Sequence, residues 1–177
     1  IDYVCHMGSD LTIVNSARVS FGKEVDQISN KDRKLIDYLI KHHHTSTLEH
    51  CTVTFRIKVP LYIRSQHHRH RTWSYNEISR RYTDFNLEFY EPKAFRTQHK
   101  SNRQASNPEQ LIDPSLANRA NAFTHHSVIA VPSYRASEAI RDHHKKSLQL
   151  FNRLIESGVC REQARGTLPQ NLYTEYY

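Results

Sequence analysis

The clearest pattern in the chain is a strict alternation at residues 51–60, CTVTFRIKVP. Val53, Phe55, Ile57 and Val59 fall on one side, and Thr52, Thr54, Arg56 and Lys58 on the other. This predicts a half-buried strand stopped by Pro60. Other segments repeat with the helical period. Residues 8–21 predict a short helix capped by Ser9 or Asp10, with Leu11, Val14 and Ala17 facing inward. Residues 30–44 predict a stronger one, with Asn30 as N-cap and Leu35, Ile36, Leu39 and Ile40 as its apolar stripe. A helix over 61–71 begins just after Pro60. Residues 85–92, FNLEFYEP, predict a short strand. Residues 93–132 are rich in Asn, Ser, Gln and Pro without a clean period, and read as a polar loop or variable insertion. A long amphipathic helix spans 133–158, with Ile140, Leu148, Phe151, Leu154 and Ile155 as its stripe and Gly158 at its C-cap. A short helix at 160–169 and a strand at 171–177, NLYTEYY, complete the chain. Neither a repeat nor a linker divides it, so one domain over 1–177 is expected. Beginning at Ile1 and stopping in an aromatic run, the chain reads as a piece of a longer protein, incomplete at both ends.

Composition narrows the partners. The chain has 177 residues, 37% of them hydrophobic, and a formal net charge of +7. That favours anionic partners without choosing among nucleotides, nucleic acids and phosphorylated cofactors. No apolar run approaches the roughly 20 residues a membrane helix needs, and the start, IDYVCHMGSD, is not a signal peptide. Three scattered cysteines, Cys5, Cys51 and Cys160, make a poor disulfide framework and point to a reducing, cytoplasmic compartment. Cys160 reads as an ordinary helix-start residue. The 13 histidines raise a metal site, at His42, His43, His44 and His50 or at His67, His68 and His70. Adjacent helical side chains diverge by about 100° and no HExxH pattern is present, so no metal is assigned. His125, His126, His143 and His144 read as solvated.

The chemistry concentrates in residues 69–82, RHRTWSYNEISRRY. Arg69, Arg71, Arg80 and Arg81 offer planar donor forks suited to phosphate oxygens. Ser74 and Ser79 add hydroxyls. Asn76 can read an amide edge, and Glu77 can orient an arginine or accept from a ribose hydroxyl or ring N–H. Trp73, Tyr75 and Tyr82 offer stacking surfaces. Composition alone reaches only nucleotide or nucleic-acid contact. A basic nucleic-acid-binding module and a structural salt-bridge network remain open on that ground, although no RRM, KH or zinc-finger pattern is present.

The order of residues is more specific. Arg69, His70, Arg71, Ser74, Asn76, Glu77, Ser79, Arg81 and Tyr82 meet every fixed position of RHRxxSxNExSxRY. This resembles the signature of the flavin-dependent thymidylate synthases. NSARVSF (15–21), KHHHTSTLEH (41–50) and ESGVCREQARGTLPQNLYT (156–174) resemble that family's flanking blocks in the family's order. The resemblance covers 8–92 and 133–177. It implies an α/β (α+β) fold with a twisted, mainly antiparallel sheet flanked by helices. It also implies conversion of dUMP to dTMP, with methylenetetrahydrofolate as one-carbon donor and FAD, reduced by NADPH, as hydride source. The expected assembly is a homotetramer that shares its active sites between subunits, with neither membrane nor nucleic acid as partner.

Carried over position by position, the resemblance places FAD contacts at His44, Ser46, Arg69, His70, Arg71 and Glu77. Ser46 stands where the family often has threonine. The dUMP contacts fall at Gln66, His67, His68, Arg69, Glu77, Ile78, Ser79, Arg80, Arg81 and Arg165. Arg80 sits where small residues also occur, so a backbone N–H is the expected contact there. Ser79, Arg81 and Arg165 are expected on the dUMP phosphate. The family's uracil-polarising arginine is expected beyond Tyr177, so no catalytic residue is assigned, and the chain is expected to bind flavin weakly unless that block is supplied. The 93–132 segment receives no role.

Overall fold

A computed structural model describes residues 1–116 and 134–177. In chain order the elements are β1 (Asp2–Met7), α1 (Asp10–Arg18), α2 (Asn30–Lys41), β2 (Thr52–Pro60), α3 (Leu61–His67), β3 (Phe95–Gln98), β4 (Ser106–Ile112), β5 (Ser115–Leu116), β6 (Tyr134–Arg135), α4 (Ala136–Glu156), α5 (Arg161–Ala164) and β7 (Tyr173–Tyr176). Helices thus alternate with strands, and each described pairing direction is antiparallel. The α+β class expected from the sequence is what forms. The chain divides into two units, one of residues 1–58 and 175–177, the other of 59–174.

In the first unit β1 pairs antiparallel with β2 from Asp2↔Arg56 to Met7↔Thr52, with a register shift between Tyr3 and Cys5. The sheet order is β1–β2–β7, and Arg56 Nε donates to Glu175 Oε1 at 2.7 Å. The sequence pattern did not predict β1. The alternation in β2 is real, but its apolar side is uncovered: Val53 is 54% and Phe55 40% exposed. Gly8 turns the chain from β1 into α1 with φ +85, and a Cβ there would lie 2.6 Å from Cys51 Sγ. Ile13 and Val14 are buried on α1, and Leu39 on α2. Of the stripe expected on α2, Ile40 is exposed.

The N-cap of α2 is Ser29, one residue before the expected Asn30. The physical reason is Asp32, whose Oδ2 accepts from the Ser29 amide at 2.8 Å and the Ser29 hydroxyl at 2.6 Å. These bonds satisfy a donor that the first helical turn otherwise leaves open. Arg18 pairs with Oδ1 of the same buried carboxylate.

In the second unit the expected stripe of α4 builds the core. Phe151, Ala164, Leu168 and Leu172 are buried together, with Leu148, Leu154 and Ile155 packed against them. Gly158, at φ +86, follows the helix end. Three expectations are corrected here. Residues 85–92 form no strand but one antiparallel bridge, Phe89↔Leu172. Within 93–132, residues 95–112 form a β3–β4 hairpin, pairing Phe95 with Ile112 and Gln98 with Ser106. Its turn is ordered by Gln98 Nε2, which donates to the carbonyls of Asn102, Arg103 and Ala105. Local polarity concealed this hairpin because side chains, not apolar alternation, hold its turn. His144 is buried rather than solvated. Residues 117–133, which hold the rest of that loop with His125 and His126, lie outside the described residues.

Candidate functional site

The site in the second unit grows from the junction at Pro60. Pro60 is extended (φ −62, ψ 150) and caps α3. The first donors of the helix are satisfied by neighbouring chain, Leu61 N to Leu172 O at 2.9 Å and Tyr62 N to Gln170 O at 3.3 Å. Helix α3 ends at His67, four residues before the expected end at 71. Tight turns then carry the chain through 68–73, with Arg69 N bonded to Gln66 O and His70 N to His67 O. The Tyr75 hydroxyl donates to the carbonyls of His67 and His70, both at 3.0 Å, and pins this loop.

A cavity of about 460 Å³ opens beside it. Leu61, Ile78, Leu168 and Leu172 supply apolar wall, and Arg64, Glu77, Ser79, Arg80 and Arg165 supply most of the polar wall. Glu77 is held by two residues that sequence reasoning missed. Arg64 Nε donates to its Oε1 at 3.1 Å, and the Thr174 hydroxyl donates to the same oxygen at 2.5 Å. Among the described residues Oε2 receives no hydrogen bond and stays available. Thr174 lies within the NLYT block already singled out, and Arg64 five residues before the motif. Nothing in the spacing signals that either meets Glu77.

The arginines divide into engaged and unengaged groups. Arg161 pairs with Asp84 at 2.9 Å. Arg81 meets Glu162 at 3.4 Å, with both side chains largely exposed. Arg80 Nη1 donates to the Phe85 carbonyl at 3.0 Å, while its buried Nε has no partner among the described residues. Burial lowers its pKa. Arg80 is one of the residues of the cavity wall. Among the described residues no ion pair engages Arg69, Arg71 or Arg165. Arg165 lines the cavity, in the 3₁₀ turn that follows α5. Ser79 accepts at its hydroxyl from Arg81 N, 3.3 Å away, and its carbonyl accepts from Tyr82 N and Thr83 N at 3.1 Å.

The structure brings Glu77, Ile78, Ser79, Arg80 and Arg165 to one cavity, although Arg165 is remote from the motif in sequence. Gln66, Arg69, His70, Arg71 and Arg81 are exposed and off that wall. His67 and His68 are half-buried under aromatic rings. Trp73 meets His67 edge-on at 4.5 Å, and Tyr75 packs on His68 at 3.9 Å. The expected stacking surfaces are therefore corrected: Trp73 and Tyr75 face histidines of the same loop, while Tyr82 stays open. Burial, with Arg64 adding to it, pulls the His68 pKa down and favours the neutral imidazole. His44 and Ser46 lie in the first unit, at a short 3₁₀ turn over Thr45–Thr47, and both are exposed. Cys160 is the N-cap of α5.

Comparison with known proteins adds independent findings. The profile of the family described as thymidylate synthase complementing protein matches residues 2–177. A flavin-dependent thymidylate synthase of Thermus thermophilus is 41% identical over 174 residues, covering 98% of this chain and 56% of that protein. The protein of that name from Wolbachia pipientis wMel is 37% identical over the whole chain, again 56% of its own length. The chain thus spans little more than half of these relatives. In three dimensions it is similar to a UMP/dUMP methylase, PolB, from Streptomyces cacaoi bound with 5-Br dUMP. The TM-score is 0.74 at 28% identity, over 99% of this chain and 70% of that one.

Proposed function

The chain belongs to the flavin-dependent thymidylate synthase family, and on that premise we propose that it binds dUMP in the second-unit cavity for reductive methylation to dTMP. One observation carries the reading. Arg165, without an ion-pair partner among the described residues, shares a cavity with Glu77, Ser79 and Arg80. An exposed guanidinium that pairs with no carboxylate among the described residues, in one wall with a hydroxyl and a partly buried arginine, suits a phosphate monoester. Holding the phosphate there would position the pyrimidine, a proximity effect worth several kcal/mol.

Each residue has a definite task in this reading. Ser79 and Arg165 hold the phosphate, and Arg81 joins them by leaving Glu162, since their 3.4 Å exposed contact is weak. Glu77 is fixed through Oε1 by Arg64 and Thr174 and offers Oε2 to ligand N–H or O–H groups. Gln66, His67 and His68 complete the nucleotide contacts, with the neutral ring of His68 adding no further cation.

The residues also fit FAD. Arg69 and Arg71 are exposed guanidinia without carboxylate partners among the described residues, which suits a diphosphate, and His70 lies between them. With Glu77 they would hold the cofactor, and His44 and Ser46 are further flavin contacts by their family positions. FAD, reduced by NADPH, would supply the hydride, and methylenetetrahydrofolate the one-carbon unit. A cytoplasmic homotetramer is part of the same proposal. The exposed apolar side chains of β1 and β2, among them Tyr3, Met7, Val53 and Phe55, favour association through that sheet.

The test is an absorbance titration of the purified protein with FAD, with and without dUMP. A weak bound-flavin spectrum that shifts on adding dUMP is the expected result. Binding that ignores dUMP but falls steeply with salt on single-stranded nucleic acid would replace this reading with the nucleic-acid one.

A further inference from the structure

Also in the second unit, a buried histidine is anchored to a partly exposed ion pair, Glu91 and Arg141, that none of the tasks above uses. His144, on α4, is 3% exposed. Its Nδ1 lies 3.3 Å from Glu91 Oε1, and Arg141 Nε lies 3.2 Å from Glu91 Oε2. Burial pushes the Glu91 carboxyl up, but the bonds from His144 and Arg141 outweigh it and hold it below the ordinary carboxylate range. An ionised carboxylate only accepts, so His144 Nδ1 carries the proton. The other face of His144 is covered by Phe89, stacked at 4.7 Å and 15°.

The segment that His144 grips reaches the site. Residues 88–91 are not a regular strand, and one bridge, Phe89↔Leu172, marks their pairing. Tyr173 N donates to Glu88 O at 2.8 Å, Tyr90 N to Asn171 O at 2.9 Å, and Asn171 Nδ2 to Tyr90 O at 3.1 Å. Leu172, Tyr173 and Thr174 line the cavity, and Thr174 fixes Glu77. From α4 to Glu77 the contacts are continuous and polar at both ends. A short segment paired through a single bridge is held only as firmly as its anchors, and here the anchor is a buried imidazole N–H on a half-exposed carboxylate.

We propose that His144 is a positioning residue for the nucleotide site. Through Glu91 it fixes the 88–91 segment, which sets the 171–174 wall and the Thr174 hydroxyl on Glu77. The inference rests on the dUMP reading for its ligand, but its structural half does not. If His144 served only as core volume, an apolar side chain would replace it. If it acts through Glu91, a donor is required, and asparagine places an amide N–H near the position of imidazole Nδ1.

The experiment compares His144→Leu and His144→Asn with the parent in two measurements. One is dUMP affinity by calorimetry, and the other is hydrogen exchange at the Tyr90 and Tyr173 amides. The expected result is about tenfold weaker dUMP binding and faster exchange in His144→Leu, with His144→Asn within about threefold of the parent in both. Parent-like behaviour of His144→Leu overturns the proposal, as does equal damage in the two variants. If the parent itself binds no dUMP, the nucleotide reading fails. The exchange measurement then decides alone whether His144 sets the 171–174 wall: selective loss in His144→Leu supports it, and any other pattern refutes it.

Discussion

The two units treat charge in opposite ways. In the first, Asp32 is buried and fully engaged: one oxygen takes the Ser29 amide and hydroxyl, the other takes Arg18. Every one of those bonds joins chain to chain, so the group serves the helix start and the α1–α2 packing. In the second unit Arg165 lines a cavity and meets no carboxylate, and Arg80 keeps a buried Nε without a partner among the described residues. A folded protein gains nothing from holding cations near each other in a concave wall unless an anion arrives. Asp32 is thus a structural charge, whereas the cations of the cavity wall are those proposed to meet an anion, with the Arg64–Glu77 pair belonging to that wall as well.

The sharpest way to break this contrast is Arg165→Ala. Losing one charge-assisted contact to phosphate costs about 1.5–3 kcal/mol, so dUMP affinity should fall roughly 10–100-fold. The unfolding midpoint should stay the same or rise slightly, because a repulsive cation leaves. A large loss of stability would place Arg165 among the structural charges. Glu77→Gln comes next. It keeps the shape but removes the charge facing Arg64, and dUMP binding by calorimetry should weaken about tenfold.

Asp32→Asn should do the reverse of Arg165→Ala, lowering the thermal midpoint by several degrees while any nucleotide binding by the second unit persists. The pH dependence follows from the same carboxylate. Its folded pKa is lowered, first by the Ser29 hydroxyl, then by the Ser29 amide and Arg18, against burial. The unfolded chain, with an ordinary value of about 3.9, binds more protons below that point. The stabilisation is thus present above about pH 4 and is lost as pH falls through the depressed folded value. Hydrogen exchange of α2 amides between about pH 5 and 3 should show it, and Asp32→Asn should flatten the profile. The smallest effect is expected from Glu162→Gln. Releasing Arg81 from an exposed pair should raise dUMP affinity by no more than about twofold.

Much of this contrast was visible before any coordinates. The α4 stripe of Leu148, Phe151, Leu154 and Ile155 does pack the core, and the helix before β2 starts within one residue of its expected cap. The motif at 69–82 and the block holding Arg165 were both singled out, and four of the motif's residues do share a cavity with Arg165. The 85–92 strand failed because its apolar residues pair with 171–173 through a single bridge, not a ladder. His144 was misread because a histidine pair on a helix looks solvated until the carboxylate and ring that cover it are known.

The sequence by itself determined most apolar stripes, where the helices begin to within a few residues, and which family's pattern the chain carries. Those properties are local: period, capping chemistry and the order of fixed residues survive without any contact map. Only the tertiary structure decided which charges are satisfied. That Arg64 and Thr174 hold Glu77, that Trp73 and Tyr75 pack on histidines, and that Arg165 meets no carboxylate among the described residues all depend on segments up to about a hundred residues apart meeting in one register. A side chain's charge is written in the sequence. Whether that charge is already neutralised depends on distance, and folding sets the distances.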